Sequence, residues 1–148
     1  MVPKTHYLLQ EAANGNQAAA EFLCMVFEGA HIWDDLRDRD HHVDEAQLGY
    51  VFRTLLVDLP RNQFFYKHVA ELTPILLTAV QNWQVANAIE SGNTGSHEIP
   101  MECAFILRSA YVDVITAVAT LCGGHTHAIN IALRARALAH EEGFKNYK

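Results

Sequence analysis

The chain has 148 residues, half of them hydrophobic and 19% charged, with a formal net charge of −6. It is too apolar for a disordered chain, and its length fits one domain with one core, residues 1–148. Residues 11–45 hold nine acids against Arg37 and Arg39, a net of −7, which leaves +1 for the rest; with no basic face, nucleic acid is not an expected partner.

In chain order, Thr5 can cap a short helix over 6–13, which Asn14-Gly15 ends. Asn16 can cap a long second helix from about 17 to 40. Asp44 with Gln47 three residues on spells a capping box, opening a helix that runs to Asp58 and stops at Leu59-Pro60. Residues 61–72 read as a turn plus a helical fragment, and Thr73-Pro74 as the start of a helix to about Ser91. Ser91–Ser96 is a loop. Pro100 fits the first turn of a helix to Cys122, Gly123-Gly124 ends it, and Thr126 can cap a last helix to about Glu142. No stretch alternates as a strand does. The predicted fold is therefore all-α: a single-domain antiparallel helical bundle of about four long helices plus two shorter ones.

Residues 72–89 and 114–133 carry no Asp, Glu, Lys or Arg. The first contains Pro74 and four Asn or Gln residues, and the second is interrupted by Gly123–His127, so both are expected as buried helices rather than membrane spans. Cys24, Cys103 and Cys122 each lie in apolar sequence and form no CxxC pair. Reduced thiols and an N-terminal stretch without an apolar signal core predict a cytoplasmic protein.

The second helix carries a narrow polar stripe. At about 100° per residue, Gln17, Glu21, Cys24, Glu28, His31 and Asp35 fall within about 80° of one another, with Asp38 just outside. No Lys or Arg lies between Lys4 and Arg37, so Glu21, Glu28 and Asp35 lack the opposite-charge partners usual on a solvated helix face. Asp38 and Asp40 also lie at the helix C-terminus, where negative charge is unfavourable. On the later helix, Glu102, Ser109, Asp113, Thr116 and Thr120 share a face, and Asp113 is the lone charge between Arg108 and Arg134. If the two stripes face each other, Glu28, His31, Asp35, Asp38, Glu102 and Asp113 become candidate ligands for Mg²⁺ or Mn²⁺, or for iron where His31 joins. If they face water, they are solvated charge; periodicity does not choose between the two.

Asp34-Asp35-Leu36-Arg37-Asp38 resembles the DDxxD motif of isoprenoid diphosphate synthases, which implies Mg²⁺ held against a diphosphate. Glu28-Gly29-Ala30-His31 resembles the ExxH of ferritin-like di-iron bundles, and Tyr111–Val114 is similar to the tail of the ExxD helix in all-α nucleoside triphosphate pyrophosphohydrolases. Each resemblance covers only a few residues and lacks the companion motif its family needs, so none assigns the chain.

Phe64-Phe65-Tyr66 places three aromatics in a row beside a turn. Consecutive residues cannot all face one core, so these are candidate interface residues. Two functions follow as expectations. The first is a non-catalytic, self-associating helical-bundle interaction module, a homo-oligomer. The second is a divalent-metal enzyme acting on a phosphorylated or diphosphate small molecule, with Glu28, Asp35 and Asp113 as ligands and His31 as ligand or general base.

Overall fold

Two side chains start the first long helices where the sequence places them. Asn16 accepts the Ala19 N–H at 3.0 Å, and Asp44 and Gln47 form a reciprocal capping box at 2.9 and 3.1 Å. In this computed structural model, which describes residues 3–39 and 41–147, the helices are α1 Pro3–Ala13, α2 Gln17–Asp38, α3 Glu45–Arg53, α4 Leu59–Arg61, α5 Gln63–Lys67, α6 Val69–Glu90, α7 Met101–Leu107 and α8 Tyr111–Ala139. No strand occurs among the described residues, and the all-α bundle is as the sequence predicts. Asp40, placed by the sequence at the end of the second helix, lies outside the described residues.

Four boundaries differ from expectation, each for a local reason. Thr5 is inside α1 rather than its cap. The helix after Asp44 does not stop at Asp58. Pro60 has no N–H to offer the preceding turn, and the chain widens into a π-turn over Thr54–Asp58, where the Leu59 N–H reaches Thr54 O, then continues as α4. Thr73-Pro74 does not start a helix: α6 begins four residues earlier, draws Leu72 fully into the core, and carries Pro74 inside it. The helix expected from Pro100 to Cys122 breaks at Arg108–Ala110, where α7 and α8 meet at 41°. There the Ser109 hydroxyl donates to Ile106 O at 2.9 Å and receives Arg136 Nη1 at 2.9 Å, competing with the regular helical ladder. Gly124 leaves helical geometry (φ 86°, ψ −176°), as the Gly pair predicts, and helix resumes after it.

The two sharp bends of the core lie side by side. Asn14 and Gly15 have φ of 50° and 87°, and Asn14 Nδ2 donates to Cys122 O at 3.1 Å. From there α1 runs antiparallel to the second half of α8: Ala12 O meets His127 Nε2, Glu11 pairs with Arg134, and Lys4 reaches Glu141. Likewise α2 runs antiparallel to the first half, with Phe27 against Tyr111. Small residues allow the approach; Ala12, Ala19, Ala20, Ala119, Ala128 and Ala135 are all fully buried around Phe22, Leu9 and Ile131. No single described helix is long and apolar enough to cross a membrane; only the bent pair α7–α8 reaches that length and composition, and much of the apolar surface of α8 is buried inside the bundle.

Asn62 joins the connecting segment to this core. Its side-chain oxygen accepts the Phe65 N–H at 2.9 Å, capping α5, while its amide donates to Ala18 O at 2.9 Å. Asn62→Ala should cost about 1–2 kcal/mol in chemical denaturation, since it removes a cap and the hydrogen bond to Ala18 O. Asn62→Ser, which keeps a capping oxygen and loses the amide donor, should retain part of that stability.

Candidate functional site

The acidic stripe of α2 lies on the accessible side of the bundle. Glu21, His31 and Asp38 are exposed, and Glu28 and Asp35 are half-buried. Gln17 Nε2 donates to Glu21 at 3.4 Å, and the charged partners of the stripe are basic groups: Arg37 Nη1 lies 3.4 Å from Asp38, and His41 Nδ1 lies 3.4 Å from Asp35. On the other helix pair Asp113 is exposed and lies 3.5 Å from Arg136, while Glu102 is exposed on α7. Among the described residues, no three His, Cys, Asp or Glu side chains come together as a metal ion would require. The six candidate ligands are thus spread over α2, α7 and α8 without a common centre. Burial, with the Glu28 and Glu21 carboxylates beside it, holds the Cys24 thiol above its ordinary range, and the cysteines of the chain are free.

The aromatic run divides by depth. Phe64 is 3% exposed and belongs to the core, 6.0 Å from the Phe22 ring, so the structure removes it from the candidate interface. Phe65 is half-buried and stacks on Phe22 at 5.7 Å. One turn of capped helix turns both inward, and Tyr66, 79% exposed, alone faces water.

Two features that the sequence reading did not anticipate lie on the other side of α2. The first is a charged cluster. Glu90 at the end of α6 takes the Arg108 guanidinium and the Tyr147 hydroxyl, and Arg37 Nη2 stands 3.7 Å away. Arg108 also donates to Asn87 Oδ1 at 2.5 Å and lies over the Trp83 ring at 5.0 Å. Asp34 faces this cluster. Burial and the neighbouring Asp38 carboxylate raise its pKa from 3.8 to about 6, opposed by Arg108.

The second is apolar. α2, α6, the start of α8 and the α3–π-turn segment line a cavity of about 460 Å³ that is partly open to solvent, with Tyr50, Leu55 and Val80 exposed at its edge. From the segment, Val51, Thr54, Leu55 and Leu59 line it; across from them stand Trp33 of α2 and Trp83 of α6, whose rings lie 4.0 Å apart. The opposite side of the same segment is also apolar: Leu48, Phe52 and Leu56 recur every four residues and are exposed, Phe52 at 65% and Leu56 at 73%. α3 has no buried residue, and in the π-turn only Thr54 is buried. Both features are made by residues far apart in sequence; the legible signal was the repeat of Leu48, Phe52 and Leu56 at helical spacing.

The fold defines the class to which the chain belongs, the all-α helical bundles. Compared with protein-family models, curated proteins and solved structures, it matches none.

The Asp34 environment has a pH signature. Because the folded-state pKa is raised, the protonated form suits the fold; that stability is full below pH 4 or so and is lost as pH rises through about 6. Asp34→Asn should therefore melt a few degrees above the wild type near pH 7.5, the difference vanishing near pH 4. Equal melting temperatures at both pH values would contradict this placement of Asp34.

Proposed function

We propose that the protein is a non-catalytic helical-bundle module that self-associates, a second copy covering the outer side of the α3–π-turn segment. The observation that carries this reading is the Leu48, Phe52, Leu56 stripe on a segment whose inner side is apolar as well. Apolar surface on both sides of a helix favours cover on both, and here neither side has it in full: α3 buries no residue and Leu55 is 57% exposed, while Leu48, Phe52 and Leu56 face water. Leu77 on α6 and Tyr66 add exposed apolar surface elsewhere on the chain. Free cysteines, Cys24 and Cys122 half-buried among them, fit a reducing, cytoplasmic setting.

The stripe has little charge to set against a different partner. Between Leu48 and Leu56 the sole charged residue is Arg53, 3.5 Å from Asp58, so like surfaces meet without repulsion. A second copy offers a matching apolar stripe by symmetry.

Light scattering at micromolar concentration should give the mass of a dimer or larger assembly. Leu56→Glu, which places a charge at the most exposed point of the stripe, should shift it to monomer with little change in helicity. A wild type that stays monomeric, or a Leu56→Glu protein of unchanged mass, would overturn the proposal.

A further inference from the structure

Gly29 stands in the middle of α2 on the wall of the cavity, and no packing contact requires a glycine there: a Cβ would meet no heavy atom within 4 Å. Its backbone is helical, where glycine is a poorer choice than alanine. Met25, Val26 and Trp33, four and three residues before it and four after, line the same wall, so a side chain at 29 would share their face. The helix interior is thus weakened at a point where a larger residue would enter the empty volume.

We propose that this cavity is a binding site for a neutral, apolar, ring-bearing small molecule, held against the Trp33–Trp83 pair and the inner side of the π-turn. The volume of about 460 Å³ lies in the usual range for ligand sites, roughly 300–1,000 Å³. The occupant is neutral because Arg108, the charged residue of the lining, is already matched: Glu90 pairs with it, and Asp34 stands close enough to be felt. An anionic ligand at Arg108 would meet those carboxylates. The occupant carries rings because two tryptophans, Tyr50 and Tyr111 present aromatic surface there. Thr54 lines the same space, and its buried hydroxyl has no hydrogen-bond partner, which leaves one donor for a single polar atom of the ligand. The site lies inside one chain and does not depend on self-association.

The neutral fluorophore phenylnaphthylamine serves as the probe. Trp33 and Trp83 are the two tryptophans of the chain, so energy transfer from them reports entry directly. Wild-type protein should show saturable transfer at one site per chain. Gly29→Leu should weaken binding at least about tenfold while its melting temperature holds or rises. If that variant does not fold, Ala79→Leu fills the cavity from the α6 wall and decides the matter. Leu56→Glu, altered on the outer stripe, should bind the probe as wild type does, whatever its mass by light scattering. Absence of saturable transfer in the wild type, or undiminished binding in a folded cavity-filled variant, would overturn the proposal. So would loss of binding in Leu56→Glu alone, which would place the probe on the outer stripe.

Discussion

The Glu90–Arg108 pair is the constraint on which the rest of the arrangement depends. Both side chains are only 17% exposed, so each charge has lost most of its water and needs the other. Glu90 cannot be replaced by packing alone, because it also takes the Tyr147 hydroxyl and faces Arg37. One carboxylate therefore ties the end of α6 to α2, to the α7–α8 bend and to the C-terminal turn. Removing it would leave the Arg108 guanidinium buried without its paired carboxylate, while Arg37 keeps Asp38, and that cost exceeds what the pair itself contributes. The same contact holds Arg108 over Trp83, and so fixes one end of the cavity.

Local backbone chemistry then decides where the helices turn. Ser109 draws the Ile106 carbonyl and Arg136, and the bend that results points Arg108 back toward α6. Pro60 cannot complete a regular turn, and the π-turn before it carries Thr54 and Leu55 to the cavity wall while leaving Leu56 in water. Gly124 breaks α8 beside the Asn14–Gly15 bend, so the long helix can follow first α2 and then α1. These are short-range effects with long-range results.

That distinction explains how much was legible in the sequence. Caps and glycine stops act over three or four residues, and Asn16, the Asp44–Gln47 box and Gly124 stand where the sequence puts them. Pro74 misled because burial of Leu72, a tertiary effect, extended the helix back to Val69. The acidic stripe was correctly found as a stripe, but a helical wheel gives angles and not directions. Its neighbour Asp34, one residue off the stripe, is the carboxylate that turns toward Arg108. Phe64 and Phe65 read as surface candidates because nothing local reveals that Phe22 lies beneath them. The cluster around Glu90 joins residues 18, 53 and 57 positions away, beyond any periodicity.

The inner and outer sides of the α3–π-turn segment are two consequences of one sequence pattern. Val51, Thr54, Leu55 and Leu59 face the cavity at intervals of three, one and four, while Leu48, Phe52 and Leu56 keep an interval of four on the other side. Nothing in α3 itself is buried; the Asp44–Gln47 box orders its first turn, and the Asn62 bond to Ala18 ties the chain beyond the π-turn to α2. The two sides are separate surfaces of one segment, so a charge placed at Leu56 leaves the cavity lining at Val51, Thr54 and Leu59 as it is.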